Sequence, residues 1–353
     1  MRFGAFGRRL LSWRMAYYQA KRSTPQSLQA SMDRSRMRLL FLGAGATGGY
    51  FGGRLAKSGG DVTFLVRPQR AGMLTRNGLT IESPAGNFTT PVTAVTKGQI
   101  AGPYDAVILS CKAYDLEAAI DATGPAVGPE TLILPLLNGL KHLDDLDAAF
   151  GQYRVLGGTC HISAALAGDG TIRHLSPFDA LTLGARVQSQ TVPCKKLHAE
   201  LSRGGFEVRL ADDVIGAMWE KWVLLATLAG MTCLMRANIG EIVATRGGEA
   251  QISAMLDECC AVAAANGQKP RAPVVFMTRA TLTDPASTMS ASMLRDLQQG
   301  SRIEADHIIG ELIARGLAKG VTTPLLTTAY SHLQAYQNRL KDNGSHPSDL
   351  NPR

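Results

Sequence analysis

A glycine-rich segment near residue 45 has the residue types and the spacing that bind a diphosphate. It has the form GxGxxG, follows the apolar segment Leu39–Leu42 and precedes a helical pattern over Thr47–Ser58. In such a segment the first glycine permits a tight turn, the second lets the backbone approach a pyrophosphate, and the third lets the helix pack closely on the strand. The helix N-terminus adds free N–H groups and a partial positive charge. The predicted cofactor contacts of this motif are Gly43, Ala44, Gly45, Ala46, Thr47 and Gly48.

The residues after the second apolar segment predict which dinucleotide is bound. Enzymes that use NAD usually carry Asp or Glu here, which accepts hydrogen bonds from the adenosine ribose. In this chain Val62–Val66 is followed by Arg67, and Arg70 lies one helical turn further on. A guanidinium binds a 2′-phosphate through charge-assisted hydrogen bonds, whereas a carboxylate repels it. We therefore expect NADP as the cofactor, with Arg67 at its 2′-phosphate.

Short apolar runs alternate with helical patterns from Met37 onward. Two further predicted strands, Ala106–Ser110 and Leu132–Leu136, are each followed by a predicted helix, at 114–122 and 139–149. Strands that alternate with helices predict a parallel sheet covered on both faces. We expect an α/β protein whose residues 37–211 form a Rossmann dinucleotide-binding domain.

Residues 212–340 have a different character, because helical periodicity runs through almost all of them. Predicted breaks lie at Gly247–Gly248, Gly267–Pro273 and Thr322–Pro324, where glycine and proline concentrate. We expect a second, all-helical domain over 212–340 that carries substrate-binding and catalytic residues. The polar residues 341–353 are predicted to be disordered.

The net charge of +8 is concentrated in the first 36 residues. These hold eight Lys or Arg residues and a single acid, Asp33, so the rest of the chain carries only +1. Without a global basic field, the predicted domains are not expected to bind nucleic acid. The basic leader is consistent with an organelle transit peptide, with a basic arm that touches membranes or nucleic acid, or with a misplaced start codon. We favour the last, because Met37 directly opens the first strand.

Cysteine, histidine and apolar patterns exclude several other classes of protein. The six cysteines show no CxxC spacing and lie in apolar stretches, which indicates reduced thiols in the cytoplasm. The seven histidines are scattered, so no metal site is expected. The longest apolar run, Trp222–Leu234, is interrupted by Thr227 and Thr232 and falls short of the ~20 residues of a membrane-spanning helix. No membrane association is expected.

Besides the glycine motif, several short segments occur in a characteristic order. They are Ser110-Cys111-Lys112-Ala113-Tyr114, Leu136-Leu137-Asn138-Gly139, Trp219-Glu220-Lys221 and Ser292-Met293-Leu294-Arg295-Asp296, followed by Glu304. Taken together, they resemble the motifs of the ketopantoate reductase (2-dehydropantoate 2-reductase) family, and the resemblance extends from Met37 to about residue 335. It implies an N-terminal Rossmann domain, a helical C-terminal domain like that of 6-phosphogluconate dehydrogenase, and a cleft between them.

The resemblance implies a role for each matching residue. Lys221 is expected to be the general acid, which gives the carbonyl oxygen a proton when hydride reaches the carbonyl carbon. A positioned proton donor of this kind typically raises the reaction rate by ~10²–10⁴-fold. A nearby carboxylate is expected to keep this lysine protonated when it is desolvated. The further expected cofactor-site residues are Lys112, Asn138, Ser163 and Glu304, and the expected substrate-site residues are Asn138, Asn238 and Ser292. His161 is expected to be a hydrogen-bonded structural histidine rather than a neighbour of the nicotinamide.

The chain departs from the family pattern on the helix that carries Lys221. Members of the family typically have asparagines four and eight residues after the lysine, on the same helix face. Here the residues are Leu225 and Ala229, which cannot bond a substrate hydroxyl. Asn238 is a candidate for a surviving polar contact, if one residue is gapped.

These features lead to an expected function with two alternatives. We expect an NADP-dependent oxidoreductase acting on CH–OH that reduces 2-dehydropantoate to pantoate, a step towards pantothenate and coenzyme A. The alternatives are a paralogous reductase of a more apolar 2-oxo acid and a non-catalytic NADPH-binding regulator. The expected partner is a small 2-oxo acid, and the protein is expected to be a monomer or a homodimer.

Overall fold

The computed structural model describes residues 36–342, so the predictions for residues 1–35 and 343–353 lie outside the described part of the chain. Its strands are β1 (Arg38–Leu42), β2 (Asp61–Leu65), β3 (Leu79–Glu82), β4 (Phe88–Thr90), β5 (Thr93–Val95), β6 (Ala106–Leu109), β7 (Leu132–Pro135), β8 (Gly157–Leu166), β9 (Ile172–Gly184) and β10 (Glu207–Leu210). Its α-helices are α1 (Ala46–Lys57), α2 (Pro68–Asn77), α3 (Leu116–Thr123), α4 (Lys141–Phe150), α5 (Thr191–Leu201), α6 (Val214–Met235), α7 (Ile239–Val243), α8 (Gly248–Ala265), α9 (Ala272–Leu282), α10 (Ser292–Gln298), α11 (Glu311–Leu317) and α12 (Pro324–Asp342). A π-helical turn, Asp306–Gly310, precedes α11.

Aliphatic strands that are buried on both faces build a five-stranded parallel sheet. Its strand order is β5-β2-β1-β6-β7, and every neighbouring pair is parallel. All four residues of β6 and of β7 are buried, as expected for strands covered by helices on both sides. The order of strands reverses at β1, so the carboxyl ends of β1 and β6 flank the crevice in which open α/β sheets bind ligands. This confirms the predicted parallel sheet.

A second sheet contains the last three strands, β8, β9 and β10, together with β3 and β4. It has the order β10-β9-β3-β4, and β8 pairs antiparallel with β9. The turn predicted at 167–170 connects β8 and β9, with a hydrogen bond from the Gly170 N–H to the Ala167 carbonyl. The sequence indicated strands in 153–210 but not that they form a separate mixed sheet. Pairing between β9 and β3, which are far apart in the chain, leaves no local signal.

The rest of the described chain is helical, and α6 is its central element. This helix buries Trp222, Met231 and Cys233 completely. With 22 residues and a mean hydropathy of 1.3 it is long and apolar enough to cross a membrane, but 61% of its most apolar window is buried inside the protein. The hydroxyls of Thr227 and Thr232 donate to carbonyls one turn earlier, so neither interrupts the helix.

The helical region has more breaks than the sequence predicted. Beyond the three predicted ones, α6 ends at Arg236, which adopts the left-handed conformation with φ of 55°. A second additional break lies between α9 and α10, where the carbonyl of Asp284 accepts a turn bond from Ser287. A third lies between α10 and the π-helical turn and contains Gly300, which has φ of 71°. The break at Arg236 contains neither glycine nor proline, so the sequence pattern gave no signal for it.

Candidate active site

The glycine loop follows β1, at the carboxyl end of the strand where the strand order of the parallel sheet reverses. Gly43 has φ of +90° and its N–H donates to the Leu65 carbonyl, so the turn requires a residue without Cβ. Gly45 is the N-cap of α1 and has no side-chain capping bond. The first N–H groups of α1 are therefore available to an anion, as the mechanism of diphosphate binding requires.

Two glycines of the loop meet very different surroundings. A Cβ placed on Gly48 would collide with Oγ of Ser110 and would lie 2.7 Å from the Gly43 carbonyl oxygen. A Cβ placed on Gly45 would have no atom within 4 Å. Gly48 thus allows α1 to pack against the end of β6, whereas Gly45 faces open space that a diphosphate can occupy. The loop fits a dinucleotide on both counts.

The two arginines after β2 have separate tasks. Arg67 is exposed, with 82% of its side chain accessible, and its nearest carboxylate is Asp115 at 3.9 Å. Arg70 donates to the carbonyl of Ala44 at 3.0 and 3.2 Å and to that of Gly170 at 3.0 Å. Arg70 therefore connects the glycine loop to the β8–β9 turn, whereas the guanidinium of Arg67 is largely exposed.

Lys112 links the sheet to the helical region through two carboxylates. Its Nζ lies 2.8 Å from Asp296 on α10 and 3.2 Å from Glu304. Glu304 is almost completely buried and also accepts a hydrogen bond of 3.0 Å from the Ala113 N–H. Burial opposes the charge of Lys112, but the attraction of Glu304 and Asp296 outweighs it, so the pKa of Lys112 lies above its ordinary value. Asp296 belongs to a motif noted in the sequence, but no role was predicted for it.

Lys221 reaches from α6 to the end of β7. Its Nζ donates a hydrogen bond of 3.0 Å to Oδ1 of Asn138, and both residues are half-buried. Burial lowers the pKa of Lys221 below its ordinary value, and the negative charge of Glu304 opposes this shift. Glu304 is thus the nearby carboxylate that favours the charged form of this lysine, against the effect of burial.

Ser292 and Asn238, the other predicted substrate contacts, lie near the C-terminal half of α6: the Ala291 N–H donates to Oγ1 of Thr232 at 3.4 Å, and Asn238 follows the end of α6 by three residues. Ser292 is exposed at the start of α10, one helical turn before Asp296 and on the same helix face. Oδ1 of Asn238 caps α7 by accepting from the Glu241 N–H at 2.9 Å, so only its amide nitrogen is free for a substrate.

Ser163 and His161 lie on β8, opposite β9. Ser163 lies at an irregularity in the β8–β9 pairing, between Ile162 and Ala164, and its N–H donates to Oγ of Ser176 at 3.1 Å. His161 pairs with Ala180 in the strand ladder, and among residues 36–342 its imidazole has no hydrogen-bond partner, so the expected bond of a structural histidine is not found there. Partial burial lowers its pKa to about 4, and the positive charge of Lys221 adds to the effect.

The two positions that depart from the family pattern differ in accessibility. Leu225 follows Lys221 by one helical turn and is partly exposed, outside the hydrophobic core of the helical region. Ala229 is buried within that core. An asparagine at position 225 would therefore be partly exposed, whereas one at position 229 would be enclosed by apolar atoms.

Among residues 36–342, no group of three His, Cys, Asp or Glu side chains is arranged to hold a metal ion. The candidate site instead combines an anion-binding helix N-terminus with a lysine held by an amide. A parallel sheet of this strand order, with a glycine loop at its switch point, defines the class of Rossmann-fold proteins that bind a dinucleotide.

Comparisons with known proteins identify the family. Residues 39–188 match the model of ketopantoate reductase PanE/ApbA, and residues 213–337 match that of its C-terminal domain. An uncharacterized oxidoreductase YkpB of Bacillus subtilis is 36% identical over 85% of this chain and 99% of its own length. The 2-dehydropantoate 2-reductase of a Nostoc species is 26% identical over 84% of this chain and 94% of its own. The crystal structure of 2-dehydropantoate 2-reductase from Geobacter metallireducens superposes with a TM-score of 0.78 at 27% identity, covering 85% and 99% of the two chains.

The chain belongs to the ketopantoate reductase family, and it is an oxidoreductase that acts on a CH–OH group. The resemblance recognised from its short motifs is thereby confirmed.

Proposed function

We propose that this protein reduces the keto group of a 2-oxo acid with NADPH, and that its substrate is 2-dehydropantoate, which becomes pantoate. The observation that carries the proposal is the hydrogen bond of 3.0 Å between Nζ of Lys221 and Oδ1 of Asn138. It holds an amine at the carboxyl end of β7, on the edge of the sheet where the glycine loop also lies. The names of relatives such as the Nostoc and Geobacter enzymes support the choice of substrate.

When bound, a nicotinamide dinucleotide supplies the hydride that reduces the carbonyl carbon. Lys221, in its ammonium form, gives a proton to the carbonyl oxygen, so that carbon and oxygen together gain the two hydrogens of the alcohol. The lysine is left neutral and regains its proton from solvent. Asn138 accepts from the ammonium and thereby orients the proton donor.

The remaining candidate residues bind and orient. Gly43–Gly48 provide the diphosphate cradle, and Glu304 with Lys112 lines the nicotinamide half of the cleft together with Ser163. The Ser292 hydroxyl, which has no partner among the described side chains, is proposed to bind the substrate carboxylate, and Asn238 offers its amide nitrogen. Arg67 is proposed to bind the 2′-phosphate, which makes NADPH the preferred cofactor.

The reaction is proposed to occur in the cytoplasm, as a step of pantothenate and coenzyme A biosynthesis. The proposed organisation is a Rossmann domain over 37–211 and a helical substrate domain over 212–340, in a monomer or homodimer without nucleic-acid or membrane partners.

The experiment that tests the function is NADPH oxidation by the purified full chain with 2-dehydropantoate, with identification of pantoate as the product. Short unhydroxylated 2-oxo acids serve as comparison substrates. Preferred turnover of 2-dehydropantoate supports the proposal. Preference for an unhydroxylated acid contradicts the assignment of 2-dehydropantoate as the substrate. NADPH binding without turnover of any 2-oxo acid contradicts the proposal that the protein is a reductase.

A further inference from the structure

Two histidine rings pack directly behind the loop that holds Lys221. Nδ1 of His142 on α4 lies 3.4 Å from Nε2 of His307, and the ring centroids are 5.6 Å apart. His307 also packs against the loop that contains Asn138, since a Cβ placed on Gly139 would lie 3.2 Å from its Nε2. Neither histidine has a part in the proposed reaction, and both come from elements that flank the cleft.

The fit between His307 and the loop is close. Gly139 has φ of +76°, and a Cβ at this residue would lie 3.1 Å from both Cδ2 and the carbonyl oxygen of His307. The loop therefore rests on the imidazole ring and on the backbone beneath it. Any displacement of that ring changes the support of Asn138, the residue that accepts from Lys221.

The position of His307 is itself fixed from α6. The indole N–H of Trp222, which is completely buried, donates to the carbonyl of Ile308 at 2.8 Å. This bond links the two sites directly, because Trp222 is the residue after Lys221 and Ile308 is the residue after His307. The π-helical turn that contains His307 is thus held against α6, and π-helical turns are frequent at functional sites.

His142 packs against the ring of His307. It is completely buried, and its Nε2 has no hydrogen-bond partner among residues 36–342. Burial holds the pKa of His142 well below its ordinary value, and the neighbouring His307 adds to the shift, so the ring stays neutral. A neutral, enclosed ring is a rigid backing for His307. The charged groups facing His307 itself are Glu304, Glu311 and Lys141.

We propose that His307 is a positioning residue: it supports the Asn138–Gly139 loop and so fixes the ammonium of Lys221, with His142 holding its ring in place. This inference rests on the proposed function, because it assigns the positioned group the role of proton donor. His307 acts through Asn138 and does not touch the reacting atoms.

The test compares His307→Ala with His198→Ala. His198 is a suitable control, because it is a partly buried histidine in a different part of the protein, where its ring bonds to the backbone carbonyl of Val208 at 3.2 Å. The readouts are kcat and KM with 2-dehydropantoate, NADPH affinity by fluorescence, and the titration of Lys221 in the cofactor-free protein by carbon NMR of labelled lysine. Lys221→Met assigns the Lys221 signal and reports on the proposed function independently. Should His307→Ala fail to fold, His307→Leu fills the space without a donor and carries the same test.

The expected result is a fall in kcat of about 10²-fold for His307→Ala, the cost of misplacing a catalytic group by about 1 Å. KM and NADPH affinity should stay unchanged, and His198→Ala should behave as wild type. The pKa of Lys221 should fall further, because its ammonium loses a well-placed acceptor. Wild-type kcat and an unmoved Lys221 titration in a folded His307 variant overturn the positioning role alone. Turnover retained by Lys221→Met overturns the proposed proton donor, and the positioning role with it.

Discussion

Nζ of Lys221 and Oδ1 of Asn138 lie 3.0 Å apart, which joins the central helix α6 to the carboxyl end of strand β7. A lysine on an apolar helix ordinarily extends its amine to bulk water. Here the amide holds it at the sheet edge that also carries the glycine loop. Because one N–H of the ammonium is bonded to Asn138, the orientation of its other N–H groups is restricted, and general acid catalysis requires such a positioned proton donor.

The rate of keto-acid reduction should fall as pH rises through the pKa of Lys221. Because burial lowers this pKa, the fall should begin below the ~10.4 of a free lysine. Glu304 opposes the shift, so Glu304→Gln should move the alkaline limb to still lower pH. The kcat–pH profile measures this, with the exposed Glu249→Gln as control. A limb that stays in place in Glu304→Gln, or moves to higher pH, contradicts the electrostatic account.

Substitution of two glycines in the same loop should separate cofactor binding from folding. Gly45→Ala adds a methyl group to open space, so Tm should be unchanged while NADPH affinity falls, since the methyl occupies the path of the diphosphate. Gly48→Ala forces α1 away from Ser110 and the Gly43 carbonyl, so its Tm should fall. Thermal unfolding and NADPH titration of both variants give the comparison. Equal loss of stability in the two would show that Gly45 is needed only for the turn.

Reversal of charge at Arg67 should change the cofactor preference. One or two charge-assisted bonds to the 2′-phosphate are worth about 1.5–3 kcal/mol each, so Arg67→Glu should weaken NADPH binding by at least about tenfold. NADH binding should not weaken, because NADH lacks the phosphate. The exposed Arg76→Glu on α2 controls for net charge. Unchanged discrimination between the two cofactors in Arg67→Glu would remove the basis for assigning NADPH.

An asparagine at position 225 should improve recognition of a hydroxylated substrate. Leu225→Asn places an amide at a partly exposed position one turn after Lys221, and a new hydrogen bond of about 0.5–1.5 kcal/mol to the substrate corresponds to a gain of up to about tenfold in kcat/KM for 2-dehydropantoate. Reduction of an unhydroxylated 2-oxo acid should not improve. Leu317→Asn, on a side chain that is 77% exposed, is the matched control. If both substrates respond alike, residue 225 does not face the substrate hydroxyl.

The parallel sheet and the glycine loop could be predicted from sequence because their signals are local. The apolar run of β1, the motif Gly43–Gly48 and the helix after it lie within twenty residues, and the mechanism of diphosphate binding requires that order. The mixed second sheet was not predictable in the same way. Its register depends on pairs such as Ile81 with Ile172, which are far apart in the chain.

The electrostatic partners within the site were also beyond sequence reasoning. Arg67 and Arg70 are three residues apart and chemically identical, but only the fold shows that Arg70 is bound to two carbonyls. Lys112 and Asp296 are 184 residues apart in sequence. The periodicity of α10 does place Asp296 one turn after Ser292, so that spacing was the signal that could have identified it.

The central claim, that Lys221 donates the proton, is tested most directly by Lys221→Met. Methionine preserves the length and the apolar stem of the side chain but has no proton to give. With NADPH and 2-dehydropantoate, kcat should fall by ~10²–10⁴-fold while NADPH affinity is retained, and the exposed Lys319→Met should match the wild type. A Lys221→Met protein that binds NADPH and turns over at the wild-type rate would contradict the account.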